Sequence, residues 1–111
     1  MGTVSVVRRE DQRVNKATLG GVHGAGEVHA RRASEDRREY RGSFAFRAED
    51  TPAFARLLDS GEIVEYVGLV DRERNGLHVL VTDVSLDRGI AYFMGKGEPY
   101  VVTQNQASVT P

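Results

Sequence analysis

Residues 38–47 read R-E-Y-R-G-S-F-A-F-R. Tyr40, Gly42, Phe44 and Phe46 fall on every second position, with Arg41, Ser43, Ala45 and Arg47 between them. Successive side chains of a strand point to opposite faces, so this stretch predicts a strand with one apolar face and one charged, wet face. The elements around it decide what kind of sheet it joins.

Downstream lies a short helix with defined ends. Glu49 and Asp50 place negative charge near its start, Thr51 is a capping residue and Pro52 suits the first helical position. Phe54, Leu57 and Leu58 recur at i, i+3 and i+4, which makes one apolar stripe to be buried against a sheet. Gly61 follows, where a left-handed residue ends the helix. Beyond it, Glu62 to Val70 is nearly continuous in apolar residues and reads as a strand buried on much of both faces. Asp71 to Gly76 (D-R-E-R-N-G) reads as a polar loop ending in an Asn-Gly turn pair, and Leu77 to Leu86 as the returning strand. Ile90 to Met94 and Tyr100 to Thr103 complete the set, and Gln104 to Pro111 reads as a polar tail.

Upstream, Thr3 to Val7 reads as an opening strand. Gly20, Gly21, Gly24 and Gly26 then oppose a helix and argue for a flexible loop or a bulged hairpin, with Val28 to Ala30 able to begin a further short strand. Residues 8–36 as a whole have little apolar surface to offset the entropy of ordering them. They are expected to form an extended loop or arm, ordered through neighbouring subunits. The predicted fold is mainly β: a small β-sandwich or barrel with one short α-helix at about residues 51–60, in a single domain spanning 1–111.

Composition narrows the function. A chain of 111 residues is long enough for one core. It has no cysteine, which removes disulfides, thiolate zinc sites and a cysteine nucleophile, and fits a reducing compartment. No apolar run is long enough to span a bilayer, and the amino terminus lacks the apolar stretch of a signal peptide. The expected setting is the cytoplasm, or a particle assembled there.

Motifs that carry chemistry are incomplete. Asp71, Glu73, Asn75 and Gly76 imitate the front of a calcium loop, but the twelfth position is Thr82 and the flanks are strands. His23, Glu27 and His29 do not have a zinc-site spacing. Gly21, Gly24 and Gly26 lack the lysine and hydroxyl of a phosphate loop. No G-x-S-x-G elbow occurs. The residues therefore predict a non-enzymatic protein without cofactor or metal.

Charge is uneven along the chain. Residues 1–47 carry ten basic and six acidic side chains, and residues 48–111 carry five basic and ten acidic ones. Such a chain can meet copies of itself head to tail, although sequence halves usually interleave in space. The densest basic run is R-R-A-S-E-D-R-R-E-Y-R, residues 31–41, in which Glu35, Asp36 and Glu39 cancel part of the charge. Arg31, Arg32, Arg37, Arg38 and Arg41 are the candidate contact residues on one side of a subunit interface. Glu62, Glu65, Asp71 and Glu73 are their candidate partners on the next subunit. The same arginines suit the alternative, a small cytoplasmic nucleic-acid-binding β-rich module.

The segments R-E-Y-R-G-S-F-A-F (38–46), A-F-A-R-L-L-D-S-G (53–61) and L-V-T-D-V-S-L-D-R (80–88), in this order, resemble the core of minor tail proteins of long-tailed bacteriophages over residues 38–103. In that group an aromatic residue precedes the G-S-F-like strand, and Tyr40 holds that place here. Small head-to-tail connector proteins are similar in size and β content. The resemblance implies a virion structural protein that forms a ring in the tail or at the head–tail junction, packing neighbours through sheet edges and loops. Its expected partners are further copies of the chain and other virion proteins.

Overall fold

The computed structural model describes residues 15–102. Six strands, β1 (Lys16–Leu19), β2 (Val22–Arg32), β3 (Arg38–Ala45), β4 (Ile63–Val70), β5 (Glu73–Ser85) and β6 (Ile90–Gly95), surround one core. A 3-10 turn (Ala48–Asp50) leads into the helix α1 (Thr51–Ser60), between β3 and β4. The strands close into a barrel in the order β1-β2-β3-β6-β5-β4. The mainly β fold with one short helix agrees with the sequence, and closure decides for a barrel.

Closure depends on β2. Residues Val22–Ala25 pair antiparallel with β1 along one edge, and further along that edge Glu27 and Val28 pair parallel with Leu69 and Val70 of β4. The opposite edge pairs with β3 from Ala25↔Ala45 to Arg32↔Arg38. The strand edges expected to pack neighbours are thereby largely used within the chain, which corrects that expectation.

The arm expected at residues 8–36 is corrected over its described part. Residues 16–19 and 22–32 are barrel strands that bury Ala17, Leu19 and Val28. The hairpin reading was the apt one: Leu19 pairs with Val22 across Gly20 and Gly21, whose φ values of 60° and 86° suit a two-residue turn. The glycines that follow are strand residues. A Cβ placed on Gly24 would stand 2.5 Å from the Phe44 ring, and one on Gly26 would stand 3.2 Å from the rings of Phe44 and Tyr66. At both positions a side chain would meet the β3 backbone first, the Ala45 carbonyl oxygen at Gly24 and the Ser43 carbonyl oxygen, at 2.8 Å, at Gly26, and then these rings from other strands. The rest of the expected arm before residue 15, the opening strand at 3–7 and the tail at 104–111 lie outside the described residues.

The helix has the predicted bounds, but its stripe is buried unevenly. Asp50, not Thr51, is the N-cap, and Gly61 ends the helix at φ 67°, its N–H donating to the Leu57 carbonyl at 3.1 Å. Phe54 is fully buried, stacked on Phe46 at 4.5 Å and tilted against Phe44 at 5.6 Å. Leu57 is half-buried and Leu58 is 39% exposed, contrary to the expectation that all three are covered. Phe54 takes the place against Phe44 and Phe46 at this end, leaving the leucines of the stripe nearer the surface.

Two further corrections concern the β4–β5 hairpin. Its turn is Asp71-Arg72, both with positive φ (55° and 77°), and Asn75-Gly76 lies inside β5 opposite Gly68 and Val67. Gly76 is required there because the Tyr100 ring covers it, and Gly76 and Tyr100 exchange backbone hydrogen bonds of 2.8 and 2.9 Å. The expected strand at Tyr100–Thr103 is reduced to this single bridge, with Thr103 outside the described residues. β4 alternates, with Tyr66, Gly68 and Val70 inside and Ile63 and Glu65 outside, so it is a one-faced wall strand.

Phe54→Ala is expected to lower stability by about 3–5 kcal/mol, and Leu58→Ala to stay within about 0.5 kcal/mol, measured by urea denaturation. Gly24→Ala separates strand from loop. A glycine in a flexible loop gives up to about 1 kcal/mol of stabilisation on replacement by alanine. Here the added methyl meets the Ala45 carbonyl and the Phe44 ring, so a loss of about 1–3 kcal/mol is expected in the same measurement.

Candidate interaction surfaces

Strand directions place the candidate charges. β2 ends and β3 begins at the barrel end opposite α1, so Arg31, Arg32, Arg37 and Arg38 gather there, all exposed. Arg31, Arg32 and Arg38 line one depression of about 210 Å³ together with Asp71, from the β4–β5 turn of the same chain. Arg37, Arg38 and Arg41 line an adjacent one of about 280 Å³ with Tyr40, Lys96 and Glu98. The Tyr40 hydroxyl donates to the Glu98 carboxylate at 3.4 Å, and burial, followed by the Glu98 charge, raises its pKa above the ordinary 10.0. Among the described residues none of these five arginines forms an ion pair within 4.0 Å; the two that occur are His29–Glu27 at 2.8 Å and Arg47–Glu49 at 3.9 Å.

The four candidate carboxylates do not form one surface. Asp71 lies at the arginine end, and Glu73 begins β5 immediately after that turn. Glu62 lies between α1 and β4, at the other end, where its N–H donates to the Ser60 hydroxyl at 3.2 Å. Glu65 is midway along β4 and accepts a hydrogen bond from the Tyr100 hydroxyl. Tyr100 also packs against His78 at 5.1 Å between ring centroids. Burial first, then the bond to Glu65 and its charge, push the Tyr100 phenol up to about 12. Glu65 is therefore engaged inside the subunit, and the calcium-like Asp71 and Glu73 flank a tight turn. Among the described residues no three histidine or acidic side chains are grouped to hold a metal.

The charge halves map onto halves of the wall. β1, β2 and β3 are contiguous in the barrel, as are β6, β5 and β4. Residues 16–47 carry seven basic and four acidic side chains, while residues 48–102 carry five basic and ten acidic ones. The sequence asymmetry thus survives folding, where interleaving would have erased it.

Sequence reasoning missed an apolar row. Ile63 pairs with Leu80 and Leu80 with Met94, so the three stand side by side on the outer face of β4, β5 and β6. Ile63 is 53% exposed, and Leu80 and Met94 are half-buried. Arg41 pairs with Met94 and extends the row onto the basic half. A second apolar depression lies beside α1, where Leu58 meets Val84 and Leu86, the latter 59% exposed. The residues of the row are far apart in sequence, and only the register unites them.

Comparison with known protein families, curated proteins and solved structures found no match. Among the described residues no helix is long and apolar enough to cross a membrane.

Tyr100 makes the fold sensitive to alkali. Its phenol keeps its proton more tightly in the folded chain than in the unfolded one. Its contribution is therefore complete below pH 10.0 and is lost as pH rises through about 12. Tyr100→Phe is expected to flatten the loss of stability across that window in chemical denaturation, and to remove the corresponding step from the near-ultraviolet phenolate titration.

Proposed function

We propose that this chain is a virion structural protein of a long-tailed bacteriophage, which assembles with copies of itself into a ring in the tail or at the head–tail junction. The observation that carries the self-assembly is the outward-facing row of exposed Ile63 and half-buried Leu80 and Met94 on the acidic half of the wall. An apolar row on an otherwise polar surface marks a contact surface. The basic half offers a complementary face with arginines unpaired within the described chain. One face meeting a different face is a heterologous contact, and a rotation that closes makes it a ring. The resemblance at residues 38–46, 53–61 and 80–88 supplies the phage setting.

Apolar packing would hold the contact and the arginines would orient it. Exposed ion pairs contribute only about 0–1 kcal/mol each, whereas their forked geometry fixes the approach of a carboxylate. Glu62 and the carboxylates of β5 and α1 replace Glu65 and Asp71 as acceptors, because those two are already engaged or adjacent to arginine in their own subunit.

Sedimentation velocity of the purified protein is expected to give a discrete oligomer that electron microscopy resolves as a ring. Ile63→Asp should release folded monomers, and the pair Arg37→Glu, Arg38→Glu should weaken or misdirect assembly without unfolding the subunit. A wild-type protein that stays monomeric at high concentration refutes the reading.

A further inference from the structure

A further cavity lies away from the arginine end. It is an open cleft of about 630 Å³ over β1, and the charged side chains lining it are Lys16, Arg47 and Arg74, with His23 beside them. Among the described residues no carboxylate lines it. The three cations come from three separate parts of the fold: β1, the residues after β3, and β5. The Arg74 guanidinium donates to the Lys16 carbonyl at 3.0 Å, which fixes one fork in the wall of the cleft. Among the described residues Arg47 pairs loosely with Glu49 at 3.9 Å, both side chains being largely exposed. Thr18, half-buried, also lines the cleft and adds a hydroxyl group.

From this convergence we infer that the cleft binds a ligand carrying several phosphate groups. Like charges lining a concavity raise the local concentration of anions. Guanidinium forks match phosphate oxygens in two-point fashion, and lysine adds a point charge. The volume falls in the range of about 300–1,000 Å³ used by small-ligand sites, larger than one phosphate needs. Among the described residues no phenylalanine, tyrosine or tryptophan lines the cleft, so they offer a nucleobase no stacking platform. Recognition is of the phosphates. They are supplied either by a free oligophosphate compound or by the backbone of a nucleic-acid strand.

The test is calorimetric titration of the full chain, at low salt, with tripolyphosphate and separately with an oligothymidylate. Binding of at least one ligand is expected, weakening as salt rises. Arg47→Glu and Lys16→Glu should each reduce affinity about tenfold or more, the usual effect of losing a charge-assisted contact. Arg56→Glu, on the exposed side of α1, should leave it unchanged. Tripolyphosphate binding that is indifferent to oligonucleotide length identifies a free phosphate compound. Binding that strengthens with oligonucleotide length identifies a nucleic-acid strand. Wild-type protein that binds neither ligand overturns the inference. So does affinity unaltered by Arg47→Glu, a variant outside the strands that serves if Lys16→Glu disturbs β1. Assembly is scored by sedimentation, so the ring reading stands or falls separately.

Discussion

The barrel depends on rings lying where strands have no side chain. A closed sheet of six strands has a narrow interior, and here Phe44, Phe54, Tyr66 and Phe93 all enter it. Space is made by inward-facing glycines. A Cβ on Gly42 would stand 2.7 Å from the Phe93 ring, and one on Gly68 would stand 2.6 Å from the Tyr66 hydroxyl. Tyr66 crosses the interior, tilts against Phe93 at 5.1 Å and donates its hydroxyl to the Leu69 carbonyl at 3.2 Å. Burial raises that phenol's pKa, so it enters the core neutral. Phe44 and Phe93 cover glycines of neighbouring strands, Gly24 and Gly42, whereas Tyr66 covers Gly68 two residues along its own strand, and the pairing order of the barrel accommodates all three.

That dependence explains which parts of the fold the sequence revealed. β3 was legible because its own alternation of Tyr40, Gly42, Phe44 and Phe46 records which face is inside. α1 was legible because Pro52 and Gly61 act locally on the backbone. β1 and β2 were not, because glycine reports freedom unless the covering ring is known, and Phe44 is some twenty residues away. A signal was present nonetheless: Gly24, Gly26, Val28 and Ala30 are small or apolar at every second position, which is strand periodicity with the bulk removed. Asn75-Gly76 misled for a similar reason, since a local turn preference yielded to a ring supplied by Tyr100.

The surface was less legible than the core. The arginine run is visible in the sequence, but whether its charges are cancelled depends on what the fold brings near. Asp71 joins them from a turn more than thirty residues later, whereas Glu65 is occupied by Tyr100. The Ile63–Leu80–Met94 row and the Lys16–Arg47–Arg74 cleft belong to no contiguous segment at all. Register sets the row from three strands on one face, and the cleft joins two strand residues to Arg47 from the segment after β3.

Closure has a consequence for how such a chain survives crowding. An open sheet exposes unpaired N–H and C=O groups that any second strand can extend, which makes edges templates for amyloid-like growth. Here β2 gives one edge to β1 and then β4, and the other to β3. A strand-by-strand route to aggregation is largely blocked by topology. Association is then left to side chains, whose identity can be tuned one residue at a time, so a chain of this kind can be packed at high local concentration without its backbone seeding fibres.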